Sequence, residues 1–180
     1  MRLFVAVDPS AEAIRHLAEA ARGLRVGPVR PEQWHVTLAF LGEVDDARLP
    51  AVRGAVAGAA AVARPGRLRI AGGGRFGNAV LWAGLAGDVD ALTELAAAVR
   101  ASLQPAGFPG DDRPYRPHLT LARLGRRTAG EYLRADVATL SGYRGPEWPL
   151  DQVRLVRSWL GGSARHETLA SWPLGRVARR

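Results

Sequence analysis

His35-Val36-Thr37-Leu38-Ala39-Phe40-Leu41-Gly42 and His118-Leu119-Thr120-Leu121-Ala122-Arg123-Leu124-Gly125 are one octapeptide written twice, identical at six of eight positions and 83 residues apart. Matches of Leu, Ala and Gly come easily in a chain so rich in them, but His occurs only four times and heads both copies. Two related halves, each lending one strand to a shared cleft, produce such a spacing. The apolar alternation in each copy predicts a strand, over 34–41 and 118–124, in which side chains point to alternate faces. His35 and Thr37 then share one face while Val36, Leu38 and Phe40 share the other. His118 and Thr120 are likewise set against Leu119 and Leu121. On strict alternation Phe40 belongs to the core and Arg123 lies opposite His118, unless the strand bends there.

Outward from the repeat, residues 2 to 7 alternate as a half-buried strand, and Pro9-Ser10 introduces a helix carrying Ile14, Leu17 and Ala21 on one side. Helical spacing returns from Asp45 to Ala63 and most clearly from Asp88 to Leu103. Strands from Arg67 to Ala71 and from Ala79 to Leu85 flank Gly72-Gly73-Gly74, which reads as the turn of a hairpin. With no lysine after it and no helix opening from it, a nucleotide loop is the weaker reading of that triplet. The stretch from Pro105 to Pro117 is loop, a short helix is expected from Ala129 to Thr139, and strands from Asp151 to Leu160 and from His166 to Trp172 are separated by Gly161-Gly162. This order predicts an α+β fold with largely antiparallel sheets, in one domain over 1–180.

The chain has 180 residues, 47% hydrophobic and 23% charged, enough for a sizeable core. No apolar run reaches the length of a membrane span, and the start of the chain is unlike a signal peptide, so a cytoplasmic protein without membrane contact is expected. The absence of cysteine excludes thiol nucleophiles and Cys-based zinc sites. All 25 basic residues are arginine, which excludes Schiff-base chemistry, and the net charge is +8. An arginine excess fits phosphate-bearing partners such as RNA, although genome composition would equally account for arginine in place of lysine together with the heavy use of Ala, Gly and Pro.

Two imidazoles and two hydroxyls around one small volume are equipment for acid-base chemistry at an anion. Imidazole ionises near neutral pH, so one copy can act as base and the other as acid, and threonine hydroxyls donate to phosphate oxygens. A catalytic zinc site needs three protein ligands, and no third ligand stands at motif spacing, although a distant Asp or Glu would complete one. His16 reads as a solvated helix position and His166 as an exposed strand position. Phe4, Phe40, Trp34 and Tyr115 are candidates to stack a base, although by alternation Phe40 is better read as core. The arginines between Asp111 and Arg116 are candidates for contacts with an RNA backbone.

With Arg2 to Asp8, the block HVTLAFLGEV from His35 to Val44, the approach Arg113-Pro114-Tyr115-Arg116-Pro117-His118 and the closing pattern from Val153 to Leu174, the sequence resembles the two-histidine (2H) phosphoesterases. Within them it is most similar to the RNA 2',3'-cyclic phosphodiesterases, historically called 2'-5' RNA ligases. The resemblance implies a bilobal fold of two pseudo-symmetric antiparallel sheets flanked by helices, with a central cleft. It implies metal-free hydrolysis of a cyclic phosphate on RNA; no cofactor, no obligate protein partner and a monomer are expected. It makes His35 the proton donor to the leaving ribose oxygen and His118 the acceptor that activates water. Thr37 and Thr120 hold phosphate oxygens, Arg123 neutralises phosphate, and the product is a 2'-phosphate. From the residues alone the mirror assignment of acid and base is equally allowed. Activity on small cyclic nucleotides or ADP-ribose cyclic phosphate, and a non-catalytic RNA-binding module, are the alternatives; intact histidines in both copies argue against the last.

Overall fold

The computed structural model describes residues 1–110, 113–125, 130–159 and 165–175. Among these residues the chain forms β1 (Arg2–Val7), α1 (Ala11–Ala21), β2 (Val36–Glu43), α2 (Leu49–Val62), β3 (Gly66–Phe76), β4 (Val80–Gly87) and α3 (Val89–Leu103). It continues with β5 (Leu119–Arg123), α4 (Gly130–Ser141), β6 (Arg144–Leu150), β7 (Gln152–Trp159) and β8 (Arg165–Pro173). Every strand pair is antiparallel, and the strand order is β6-β3-β4-β5-β2-β1-β7-β8. The two expected halves are β6-β3-β4-β5 and β2-β1-β7-β8. They meet between the motif strands through one residue pair, Val36 with Leu119, so the halves form a single continuous sheet.

Helices α1 and α4 pack on the first half, against β3 and its neighbours, while α2 and α3 pack on each other and on the second half. Ser10 caps α1 as its position implies, its hydroxyl accepting from the Ala13 N–H at 3.1 Å. The main core lies between helices and sheet and takes Leu3, Val5 and Val7 from β1 and Val36 and Leu38 from β2. Phe4 and Ala6 point the other way and form a small separate cluster with Val156. That second, helix-free face carries the cleft. Among the described residues no helix is long and apolar enough to cross a membrane.

Two elements differ from the sequence reading. β6 is masked in the sequence by Pro146 and Pro149, which argue against a strand. It is an outer strand paired only with β3, where a missing N–H can face away from the ladder. The Gly72-Gly73-Gly74 triplet is not the hairpin turn but lies inside β3, and the turn is made beyond Phe76, where Gly77 has φ +54°. A Cβ on Gly74 would run into the Trp82 ring, and one on Gly73 would stand 2.6 Å from Leu140 Cβ. The glycines are therefore the bed on which Trp82 and α4 lie. Gly161-Gly162, and the expected first residue of the short helix, Ala129, fall outside the described residues.

Candidate active site

His35 and His118 each stand one residue before a strand, at the mouths of β2 and β5, rather than inside them. Beyond each histidine the strand carries the same defect. Ala6 pairs with Thr37 and Val5 with Ala39, leaving Leu38 as an extra residue. Trp82 pairs with Thr120 and Leu81 with Ala122, leaving Leu121 extra. A bulge of this kind shifts the alternation by one residue. Both motifs accordingly bury Leu and Ala in succession and turn the next residue outward. The carbonyls displaced by the bulges are satisfied individually, Leu38 O by Arg100 Nε at 2.9 Å and Leu121 O by the Val29 N–H at 2.6 Å.

This slip corrects the placement of Phe40, which is not in the core but 63% exposed. It also brings Arg123 round to the side of Thr120. His35, Thr37, His118, Thr120 and Arg123 therefore all line one cleft of about 510 Å³, with Phe40 at its edge. A broader groove of about 1140 Å³ continues from it past Arg48, Arg100, Arg116 and Phe108. Of the four aromatic candidates for base stacking, Phe40 alone is well exposed. Phe4 is buried and stacked on His35, centroids 4.7 Å apart and planes at 25°. Trp34 is buried. Tyr115 donates its hydroxyl to the Thr37 carbonyl at 3.1 Å and carries the Arg100 guanidinium over its ring.

The His118 imidazole is oriented from behind. His118 Nδ1 lies 2.6 Å from the Arg116 carbonyl, which can only accept, so Nδ1 carries the proton and Nε2 is the basic nitrogen. Gln33 stands two residues before His35 as Arg116 stands two before His118, but among the described residues the buried His35 Nδ1 has no hydrogen-bond partner. Burial pushes His35 down to about 3, assisted by His166, Arg154 and Arg123. His118 is lowered as well, by burial and then by Arg123. Arg123 thus acts on both imidazoles, as a cation facing both motifs would. Both rings are thus held toward the neutral form, and an anion beside them would favour the protonated one.

The sequence reads His166 as an exposed strand position, and this too is corrected. Its ring lines the cleft, 5.2 Å from that of His35 and 5.2 Å from that of Phe4. Nothing in the Arg165-His166-Glu167 triplet marks a face, because β8 shows no clean alternation of burial. His16 is exposed as expected, with Nδ1 2.9 Å from the Tyr143 hydroxyl. Among the described residues no three His, Asp or Glu side chains cluster as metal ligands would. Asp111 and Asp112 of the approach loop lie outside the described residues, while Arg113 and Arg116 line the broader groove.

Comparison with known proteins finds a match over residues 5–161 to the model of the 2'-5' RNA ligase superfamily. A curated Thermus thermophilus protein named RNA 2',3'-cyclic phosphodiesterase is 34% identical over 173 residues, covering 89% of this chain and 83% of the relative. A Geobacillus stearothermophilus protein of the same name is 34% identical over 153 residues, covering 81% of this chain, which spans about half of that relative (47%). The crystal structure of TT0787 of Thermus thermophilus is similar with a TM-score of 0.80 and 31% identity, covering 98% of this chain and 99% of that one.

Proposed function

The chain belongs to the 2'-5' RNA ligase superfamily, and from that premise we propose that it hydrolyses RNA 2',3'-cyclic phosphate ends by general acid-base catalysis. The observation that carries the reading is the arrangement of His35 and His118 at mirror positions on the walls of one cleft, each followed by a threonine on the same wall. The names of the relatives supply the substrate class.

In the reaction His118 Nε2 takes a proton from water, whose oxygen attacks phosphorus in line with one ester oxygen. The bond from phosphorus to the ribose 3'-oxygen breaks, and His35 delivers a proton to that oxygen as it leaves. The product is a 2'-phosphate. The His118 tautomer set by the Arg116 carbonyl favours this residue as the base. Thr37, Thr120 and Arg123 hold the non-bridging oxygens, where charge develops. His35 is held neutral mainly by burial, with His166, Arg154 and Arg123 adding to it; the charge of a phosphate bound beside the ring favours its protonated form. The RNA chain leading to the cyclic end lies along the arginine-bearing groove.

The test is hydrolysis, in excess EDTA, of a cyclic-phosphate-ended oligoribonucleotide beside 2',3'-cyclic mononucleotides. Turnover of the oligonucleotide at least equal to that of the mononucleotides is expected. Turnover of mononucleotides only would mark a small-molecule enzyme, and loss of activity that zinc or manganese restores would make the histidines metal ligands.

A further inference from the structure

Each imidazole meets one other ring edge to face, and that ring differs between the halves. Phe76 meets His118 edge to face, centroids 4.9 Å apart and planes at 86°. His166 meets His35 in nearly the same way, at 5.2 Å and 76°. A phenyl ring satisfies the packing at the first place, so packing does not demand an imidazole at the second. What His166 adds is two ring nitrogens on the cleft wall. Among the described residues neither forms a hydrogen bond. Behind it Arg154 is held by Asp8 and by the Thr168 hydroxyl. Burial, and after it that cation, disfavour a positive charge on His166. The neutral ring offers one donor and one acceptor nitrogen.

A 2',3'-cyclic phosphate sets a problem of orientation. Its two ester oxygens are nearly equivalent about phosphorus, and two mirrored His-x-Thr motifs do nothing to tell one from the other. Polar groups present on one side only do so: Arg123 beside Thr120, where the other half has Phe40, and His166 beside His35. We propose that His166 is a substrate-contacting residue that hydrogen-bonds the ribose phosphate on the His35 side of the cleft and so fixes which ribose oxygen faces His35. The assignment rests on the hydrolytic reading above and gives His166 no part in bond breaking. The attacking water, the single phosphorus-oxygen bond that breaks and the two proton transfers are unchanged.

The experiment compares the parent protein with His166→Phe, which keeps a ring against Phe4 and His35, and His166→Ala, which removes it. Each is assayed on a cyclic-phosphate-ended oligoribonucleotide, with 2'- and 3'-phosphate products resolved by phosphorus NMR and His35→Ala as reference. Both variants are expected to lose kcat/KM alike, roughly tenfold to a hundredfold, as for a lost hydrogen bond to a charged group. Both are expected to release a mixture of isomers where the parent releases one. A His166→Phe protein that keeps the parent rate, or still releases a single isomer, overturns the assignment, as does a parent that itself releases both. A parent that hydrolyses no cyclic phosphate overturns the hydrolytic reading instead. An inactive His35→Ala beside an unimpaired His166→Phe overturns only the role of His166.

Discussion

Phe40 and Arg123 are the same position of the repeat, each presented to the cleft by an extra leucine two residues earlier: Phe40 pairs with Phe4 and Arg123 with Val80 across the bulge. One half therefore offers an aromatic face where the other offers a cation.

From this pairing the two substitutions should separate base from phosphate. Phe40→Ala is expected to raise KM for nucleotide substrates about five- to a hundredfold, the range of one base-aromatic stack. It should leave a base-free ribose cyclic phosphate nearly untouched. Arg123→Gln should lower kcat/KM for both by comparable factors. Steady-state kinetics on the two substrates checks this, and equal sensitivity of both substrates to Phe40→Ala would remove the stacking role.

Substituting either catalytic candidate, His35→Ala or His118→Ala, should reduce turnover by about a hundred- to ten-thousandfold. Binding of the cyclic phosphate should fall much less, since Thr37, Thr120 and Arg123 remain. Because both imidazoles serve one transition state in the proposed reaction, the double variant should lose less than the product of the two single losses. Single-turnover rates read beside equilibrium binding give both quantities.

The depressed imidazoles also make folding stability depend on pH. An unfolded histidine takes up its proton near pH 6.5, whereas folded His35 does so only at about 3. Between those values the unfolded state binds the extra proton, so stability is greatest above about pH 6.5 and declines as the pH falls toward 3. His118 and His166, also lowered, add slopes of the same sign. Denaturant unfolding at a series of pH values should show this decline, with a shallower slope in His35→Phe. Saturating inorganic phosphate should flatten it by letting His35 keep a proton in the folded state.

Asp136 predicts a stability effect remote from the chemistry. This buried side chain of α4 accepts from the Arg25 N–H at 2.9 and 3.1 Å and from the Val26 N–H at 2.9 Å, fixing the chain just after α1. Asp136→Ala strands those donors and should cost about 2–4 kcal/mol. Asp136→Asn, which keeps an acceptor, should cost less. Chemical denaturation measures both, and kcat of the surviving folded fraction should be unchanged.

The repeat makes most of the site legible in the sequence, because rare residues at matched spacing carry more information than apolar matches do. His35, Thr37, His118 and Thr120 share a cleft as the alternation implies. Alternation fails at Phe40 and Arg123 for a reason the sequence does not carry. Leu38 and Leu121 are as apolar as any core residue, and only the register with β1 and β4 exposes them as extra. His166 escapes sequence reasoning because it belongs to no motif and reaches His35 through tertiary packing. β6 escapes it because two prolines mask a strand whose edge position makes them harmless.

The ties between the two motif strands gather in one place. The shared pair Val36 and Leu119 directly follows the histidines, and Tyr115, which bonds the Thr37 carbonyl, comes three residues before His118. Tilting one half of the molecule against the other would use this waist as its pivot. Points move in proportion to their distance from a pivot, so the imidazoles would travel least, and Phe40 and Arg123, four residues beyond the shared pair, would travel farther. Such a hinge leaves the spacing of acid and base indifferent to how wide a nucleotide is admitted between the outer jaws.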